Sequence, residues 1–210
     1  MNTGRIISSD ACVSEGAAWL VEHDPRFAPA LAQTGPLPLR LRPDGFAALL
    51  DAIVSQQVSV ASARAIWARV LEAGMTDPAR VRAASDEDLR ACGLSRPKVR
   101  YARALASADL DYPALCGTSD SDVIATLTAV TGIGKWTAEI YAMFSLGRAD
   151  VFAHGDLALQ ESARVLFDLE QRPNEKEMRE MAQQWTPWRS VAARALWAYY
   201  RVIKDREGIK

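Results

Sequence analysis

The sequence predicts an all-α fold, and three observations support this. Apolar residues recur at helical spacing in almost every segment, as at Phe46, Leu49, Leu50, Ile53 and Val54. No segment alternates clearly between apolar and polar residues, the pattern of a half-buried strand. Serine, aspartate and glycine stand where such helices would begin or end. With 210 residues, 49% of them hydrophobic, the chain is long enough for one sizeable domain or two small lobes.

The first half of the chain contains predicted helices separated by breaks with proline or glycine. Ser14 is the predicted N-cap of the first helix, which Asp24-Pro25 ends. After the break at residues 35–38, Asp44 is predicted to cap a helix that ends at the polar residues 55–57. Further helices are predicted over residues 58–73, from Asp77-Pro78, from Ser85, and from Ser95 or Arg96.

The second half is predicted to be helical as well. Its helices run, in order, from Ser119 through Leu127, over residues 135–146, from Asp156 through Phe167, and after Pro187. A turn with two glycines joins the first and second of these. The turns at Gly93 and Gly132 share a loose pattern of leucine, glycine, an aliphatic residue and a basic helix start. This similarity is either an internal repeat or a coincidence.

Composition and charge exclude several classes of protein. The net charge is −1, so no overall basic field attracts nucleic acid, and any such contact must be local and made largely by backbone donors. The three cysteines are widely spaced, which predicts reduced thiols and no zinc or iron–sulfur ligand set. No apolar run is long enough to span a membrane, and the first residues lack the apolar region of a secretory signal.

The glycine turn is a candidate phosphate-binding site. Gly132 and Gly134 suit a tight turn, and Gly134 precedes a helix whose first N–H groups and dipole favour an anion. Lys135 adds a cation. The turn is not a Walker loop, because alanine occupies position 129, where that motif requires glycine. The alternative is an ordinary corner between two helices, which glycines commonly form and which the two glycines alone favour.

Asp156 is a candidate catalytic acid further along the chain. It directly precedes a helical segment, and aspartate is a favoured N-cap, so local sequence alone indicates a simple cap. A phosphate-binding turn upstream favours a second, catalytic role for Asp156. An acid at a fixed distance from a bound phosphate can act on the molecule to which that phosphate is attached.

In these features the chain resembles the helix-hairpin-helix DNA glycosylases, and most of all the alkylbase group, DNA-3-methyladenine glycosylase II. The resemblance begins near Ala18 and follows the family's order through residues 24–27, 46–59, 93–95 with Lys98, 132–138, Asp156 and 185–190. It implies a two-lobed all-α fold without the N-terminal β domain of longer members. In that fold, residues 1–44 plus 126–210 form the lobe carrying the hairpin and catalytic aspartate, and residues 45–125 form the lobe carrying the wedge residues.

The resemblance also assigns roles to individual residues. Asp156 is the implied catalytic acid. Gln57, with Gln56 beside it, is the implied wedge that fills the gap left by an extruded base, and Trp136 and Trp197 are the implied walls of the base pocket. The implied DNA-binding hairpin residues are Gly132, Ile133, Gly134, Lys135 and Thr137. The carbonyls of Thr128, Val130 and Ile133 are the implied ligands of a monovalent cation, Na⁺ or K⁺, and no other cofactor is expected.

The implied reaction is hydrolytic excision of alkylated purines, of the 3-methyladenine and 7-methylguanine type, from duplex DNA. Strand-cleaving members carry a nucleophilic lysine at the position of Trp136, so a monofunctional enzyme that leaves an abasic site is expected. The expected partner is double-stranded DNA with damaged bases. The protein is expected to be a monomer and not to associate with a membrane. The expected location is the cytoplasm or nucleoid of a bacterium, or the nucleus of a eukaryote. The alternatives are a glycosylase for deaminated or oxidised bases and a non-catalytic DNA-binding module.

Two positions depart from the family pattern, one in the hairpin and one in the lead to the acid. Thr131 replaces a proline, and Ala153-His154-Gly155 replaces the usual leucine-proline lead to the acid, so Gly155 is expected to loosen Asp156. His154 is expected at the surface or in a hydrogen bond, and the alternative is a contact with the flipped nucleotide. A basic stretch consists of Arg96, Lys98, Arg100 and Arg103. It either meets the DNA backbone or forms a solvated helix face.

Overall fold

A computed structural model of the chain describes residues 3–206. Within them, the all-α prediction is confirmed, because the only β pairing is an isolated bridge between Ile6 and Arg148. Short 3-10 helices lie at Pro25–Phe27 and Ala182–Trp185. The α-helices are α1 Asp10–His23, α2 Ala28–Thr34, α3 Phe46–Ser55, α4 Val60–Glu72, α5 Pro78–Ala83, α6 Asp86–Ala91, α7 Arg96–Ser107, α8 Tyr112–Gly117, α9 Asp120–Thr128, α10 Lys135–Phe144, α11 Leu157–Leu166, α12 Glu175–Met181 and α13 Arg189–Arg206. None of these helices combines the length and apolar character needed to cross a membrane.

Several helices begin where the sequence predicts, and others begin at a different residue. Ser119 caps α9 and Asp156 caps α11, as the sequence indicated. The N-cap of the first helix is instead Ser9, whose hydroxyl accepts from the Cys12 N–H, so Ser14 lies inside α1. Gly45, rather than Asp44, precedes α3.

The chain divides into two compact units whose boundary differs from the predicted one. The first unit contains Arg42–Tyr141, and the second contains Gly4–Leu41 and the chain from Ala142 onward. The glycine turn therefore belongs with the proposed wedge residues and not with Asp156. The local contacts explain this: the Gln56 amide donates to the Gly132 carbonyl at 3.0 Å, and the Tyr141 hydroxyl accepts from the Gly45 N–H at 2.8 Å.

Each unit has its own apolar core. In the first unit, α3 packs on α4 and α7, and α7 also packs on α5. The core face of α3 is the apolar stripe that the sequence predicts, namely Phe46, Leu49, Leu50, Ile53 and Val54. In the second unit, α13 packs on α1, α2 and α11. The rings of Phe27, Phe152, Phe167 and Trp185 form an aromatic cluster there, with centroids 5.4 to 5.8 Å apart.

Candidate functional site

The glycine turn between α9 and α10 is a tight hairpin. It begins at the end of α9, where the Val130 N–H donates to the Leu127 carbonyl at 3.1 Å. The Ile133 N–H then donates to the Val130 carbonyl at 3.0 Å. Gly132 has a φ of +99°, a conformation that side chains other than glycine rarely adopt. The Ala138 N–H donates to the Gly134 carbonyl at 3.0 Å, which places Gly134 at the N-terminus of α10.

The two glycines of the hairpin have different surroundings. A Cβ atom on Gly132 would lie 2.3 Å from Cγ of Tyr101, so the ring packs directly on this backbone. A Cβ atom on Gly134 would meet no atom within 4 Å, and its φ is not positive. Gly132 is therefore required by the fold, whereas Gly134 leaves the start of α10 open to an approaching group.

The other predicted hairpin residues divide into buried and exposed ones. The side chains of Ile133 and Thr137 are buried, so they are not exposed to an approaching ligand. Lys135 is exposed at the first position of α10. Because the first N–H groups of a helix have no partner within it, the backbone of this turn supplies anion-binding donors, and Lys135 adds a positive charge.

The turn at Gly93 has the same glycine conformation as the hairpin. Gly93 has a φ of +98°, compared with +99° for Gly132, and it joins α6 to α7. Positive φ values also occur at Gly35, Gly74 and Gly147, so this conformation does not distinguish an internal repeat from coincidence.

The structure gives the two predicted wedge residues different positions. Gln56 is half-buried, and its side-chain amide holds the Gly132 carbonyl at 3.0 Å. Gln57 is exposed and has a φ of +54°, in the left-handed region. The turn at Gln57 separates α3 from α4, which begins at the Ser59 cap. Gln56 thus attaches this loop to the hairpin, and Gln57 is the residue of the pair whose side chain is exposed to solvent.

In the second unit, Asp156 is held by three N–H donors that converge on one carboxylate oxygen. Its Oδ1 accepts from the backbone N–H groups of Ala158 at 2.9 Å and Leu159 at 3.1 Å, which are the cap bonds of α11. The indole N–H of Trp197 donates to the same oxygen at 3.2 Å. Asp156 is therefore the N-cap of α11, and the cap geometry fixes the orientation of its half-buried carboxylate.

The segment before Asp156 is tied down on both sides of Gly155. The Asp156 N–H donates to the Ala153 carbonyl at 3.0 Å, and the buried amide of Gln160 donates to the His154 carbonyl at 3.0 Å. His154 is itself buried, so the surface alternative for it is wrong. Gln160, one turn into α11, thus restrains the backbone segment that Gly155 was expected to loosen. The sequence signal for it was available, since Gln160 follows the cap residue by one helical turn.

Trp197 and Trp136, the predicted pocket walls, lie on α13 and α10. Trp197 is half-buried, and its ring contacts Phe144 with centroids 5.8 Å apart. Trp136 lies in the first turn of α10 and is 48% exposed, which is unusual for such a large apolar side chain. The hydrogen bond between Trp197 and Asp156 was not predicted, because it joins residues that are distant in the sequence.

A buried arginine supports the Trp197 side of this site. Arg194 donates to the carbonyls of Leu39 and Ser190 at 3.0 and 2.9 Å, and its guanidinium lies 4.7 Å from the Phe144 ring centroid. Burial, with the nearby charge of Arg40, lowers the pKa of Arg194 to about 10. The side chain thus stays protonated at neutral pH and holds the Phe144 ring that backs Trp197.

The chain is similar in sequence and structure to several DNA glycosylases. Alkylbase DNA glycosidase-like protein mag2 of Schizosaccharomyces pombe is 25% identical over 203 residues, which span 91% of this chain and 95% of that protein. A DNA-3-methyladenine glycosidase structure from Bacillus halodurans has a TM-score of 0.81 and 35% identity, with 89% of each chain covered. The 3-methyladenine DNA glycosylase Mag1 of Schizosaccharomyces pombe, in complex with abasic DNA, has a TM-score of 0.76 and 27% identity, covering 87% of this chain and 95% of that one.

The family assignment agrees with these relatives. The sequence profile of the HhH-GPD superfamily of base excision DNA repair proteins matches residues 50–187, a range that includes Gln56, Gln57, the hairpin and Asp156. The chain therefore belongs to the HhH-GPD superfamily of base excision DNA repair proteins.

Proposed function

We propose that this protein is a DNA glycosylase that excises alkylated purines from duplex DNA by hydrolysis and leaves an abasic site. The observation that carries the proposal is the Asp156 carboxylate, held by two backbone N–H groups and the indole of Trp197. The relatives named as alkylbase or 3-methyladenine glycosylases support the same substrate class.

The carboxylate of Asp156 acts on the sugar of the damaged nucleotide. As the N-glycosidic bond breaks, its electron pair leaves with the base, and the sugar acquires oxocarbenium character. A fixed negative charge stabilises that transition state, and a water molecule adds to C1′ to complete the abasic site and release a proton. Because the charge is in place before the reaction, no reorganisation is needed at the moment of cleavage.

The aromatic side chains account for the preference for alkylated bases. A base must leave the stack to be cut, and an N3- or N7-alkylated purine is electron-poor and often cationic. The Trp197 ring beside Asp156 and, separately, the exposed Trp136 ring each present an aromatic face that can bind such a base by stacking and cation–π attraction, on the order of 0.5–2 kcal/mol each. A cationic base is also a good leaving group, so a second acid to protonate it is unnecessary.

The hairpin binds the DNA backbone through main-chain donors. The open backbone at Gly134 admits a phosphate to the N-terminus of α10, where the helix dipole favours it. Binding through a few backbone N–H groups suits a chain whose net charge is −1. It predicts a shallow dependence of DNA affinity on salt, because few cationic side chains displace counterions.

Carbonyl oxygens of the hairpin fit a monovalent cation at the same place. Thr128 is the last residue of α9, so its carbonyl belongs to the group left without a partner within the helix. The Val130 carbonyl accepts from the Ile133 N–H and keeps a second lone pair. With the Ile133 carbonyl, these oxygens would hold Na⁺ or K⁺, whose charge favours the adjacent phosphate.

We further propose that the protein is monofunctional and acts as a monomer wherever chromosomal DNA lies, in a nucleoid or a nucleus. Trp136 stands where strand-cleaving relatives carry a nucleophilic lysine. A tryptophan forms no Schiff base with the sugar, so the strand remains intact after base release.

Base release from treated DNA tests this proposal. Purified protein is incubated with duplex DNA methylated on purines and, separately, with duplexes containing uracil or an oxidised guanine. We expect free 3-methyladenine and 7-methylguanine, strand breaks only after alkali, and no borohydride-trapped complex with DNA. Release from the uracil or oxidised duplexes alone would indicate another lesion class, and no release from any of them would indicate a binding module. A trapped complex would contradict the monofunctional assignment.

The Trp197→Phe variant tests the indole hydrogen bond separately from the aromatic wall. Phenylalanine keeps an aromatic face and removes the N–H that donates to Asp156, so we expect the single-turnover rate to fall by about 10-fold. Affinity for abasic-site DNA should change little. Trp19→Phe, on the half-buried face of α1, is the matched control and should release bases at the parental rate. An unchanged rate for Trp197→Phe would show that this hydrogen bond does not orient the carboxylate.

A further inference from the structure

Lys98 is a buried charged side chain that the proposed mechanism does not use. It lies in the first turn of α7 with 8% of its surface exposed, and its Nζ donates to the Val54 carbonyl at 2.7 Å. Burial lowers the pKa of Lys98 from its usual range. Val54 is in the last turn of α3, where unpaired carbonyls and the negative end of the dipole favour a cation. Lys98 therefore anchors the end of α3.

The segment that follows this anchor is the loop of residues 55–59, which we call the wedge loop. It carries Gln56, which donates to the Gly132 carbonyl, and Gln57, which is exposed with a φ of +54°. A non-glycine residue in the left-handed region persists only where its surroundings hold it. The bond from Lys98 fixes the chain three residues before Gln57.

The same helix also supports the hairpin. Tyr101 follows Lys98 by one turn of α7, and its ring packs on the backbone of Gly132. Helix α7 thus holds the start of the wedge loop through Lys98 and the hairpin through Tyr101, and Gln56 joins the loop to the hairpin directly. The three contacts form a closed set within the first unit, so movement of one element displaces the others.

The basic stretch of α7 is not a uniform DNA-binding face. Arg103 is engaged with the Asp86 carboxylate and the Ala84 carbonyl, each at 2.7 Å. Lys98 is buried on Val54, whereas Arg96 and Arg100 are exposed. The stretch as a whole is therefore neither a DNA-binding face nor a solvated helix face. Lys98 contacts the protein interior and not a phosphate.

We propose that Lys98 is a positioning residue that holds the wedge loop at a fixed distance from the hairpin. At that distance, one DNA duplex can contact the wedge loop and the hairpin at the same time. This inference rests on the proposed function, in which the hairpin holds a phosphate and Gln57 fills the place of an extruded base. Lys98 touches neither DNA nor base. It acts on the extrusion step, and base cleavage in an already extruded state does not depend on it.

The Lys98→Met variant, which keeps the length of the side chain and removes its N–H donors, tests the proposal with two substrates. One duplex carries 7-methylguanine paired with cytosine, and the other carries the same lesion in a bulge, where the base is already unstacked. We expect about 10-fold slower release from the paired lesion, as for a catalytic element displaced by a fraction of an ångström, and nearly parental release from the bulge. Equal losses on both substrates would overturn the proposal. Arg100→Met removes a positive charge from the exposed side of α7 and is the control. It should leave the ratio of the release rates from the two substrates unchanged.

A double-mutant cycle with Gln57→Ala shows whether Lys98 acts through the wedge. If it does, Lys98→Met should add little to the defect of Gln57→Ala on the paired lesion, since the loop no longer has a wedge to position. Losses that multiply would contradict the proposal. The salt dependence of binding to abasic-site duplex should keep the parental slope in Lys98→Met, because no phosphate contact is lost. A shallower slope would make Lys98 a DNA contact and overturn it.

Folding and the underlying function are checked separately. Thermal unfolding establishes that each variant is folded. If the methionine variant is unfolded, it is replaced by Lys98→Gln, whose side chain is polar but shorter and uncharged, so that the contact with the Val54 carbonyl is weakened. If the parental protein releases no base from either substrate, the proposed function fails. Affinity for abasic-site duplex then tests Lys98, with about 10-fold weaker binding of Lys98→Met expected and unchanged binding overturning its role.

Discussion

Replacing Asp156 by asparagine should reduce release of methylated purines by about 10³-fold or more, because the fixed negative charge that stabilises the oxocarbenium-like sugar is lost. Asparagine is as good an N-cap as aspartate, so its side-chain oxygen can still accept from the Ala158 and Leu159 N–H groups. The free energy of unfolding should therefore change by no more than about 1 kcal/mol. Single-turnover assays on methylated duplex DNA, together with thermal unfolding, measure both quantities.

The binding of DNA by the Asp156→Asn variant separates catalysis from recognition. Removal of a negative charge near a polyanion should leave affinity for abasic-site DNA unchanged or raise it. A variant that binds such DNA and releases no base would support the catalytic assignment. Undiminished base release would contradict it, and Asp156 would then be only the cap of α11.

The Gly132→Ala substitution should have the largest effect on the hairpin. At a φ of +99°, an added Cβ would lie 2.3 Å from Tyr101 Cγ, so backbone strain and a steric clash add together. We expect a loss of stability of about 2–4 kcal/mol, measured by denaturant unfolding. The folded fraction should bind abasic-site DNA at least about 10-fold more weakly, since one lost hydrogen bond to a charged group has this effect.

Gly134→Ala is the matched control in the same turn. Its Cβ would meet no atom within 4 Å, and its φ is not positive, so stability should fall by less than about 1 kcal/mol. Any loss of DNA affinity in this variant then reports on the approach of a phosphate to the start of α10. If Gly132→Ala were as stable as Gly134→Ala, the packing of Tyr101 against the hairpin would not be a constraint.

Local patterns predicted all of the longer helices and missed three of the short ones. The caps at Ser119 and Asp156 are contacts between a side chain and N–H groups two or three residues ahead, so the sequence contains everything needed to predict them. The short helices α2, α8 and α12 were not predicted. For α12 a signal existed, because Asn174 and Glu177 form a capping box.

Motif order and family resemblance were sufficient for the class of reaction, the family and the all-α fold. Contacts between distant parts of the chain required the structure. Gln56 and Gln57 are neighbours of the same chemical type, yet one holds Gly132 and the other is exposed, because the backbone turns at a φ of +54°. Lys98 lies in a stretch that looks like a DNA-binding face and instead anchors Val54.

The physical reason for this division is the range of the interactions. Helix caps, glycine turns and apolar periodicity depend on residues within a turn or two of one another, so the amino-acid sequence specifies them directly. The hydrogen bond from Trp197 to Asp156 and the boundary between the two units at Tyr141 instead depend on which surfaces pack together. That packing results from the whole core of each unit, and it determines which of the candidate residues hold the site in place.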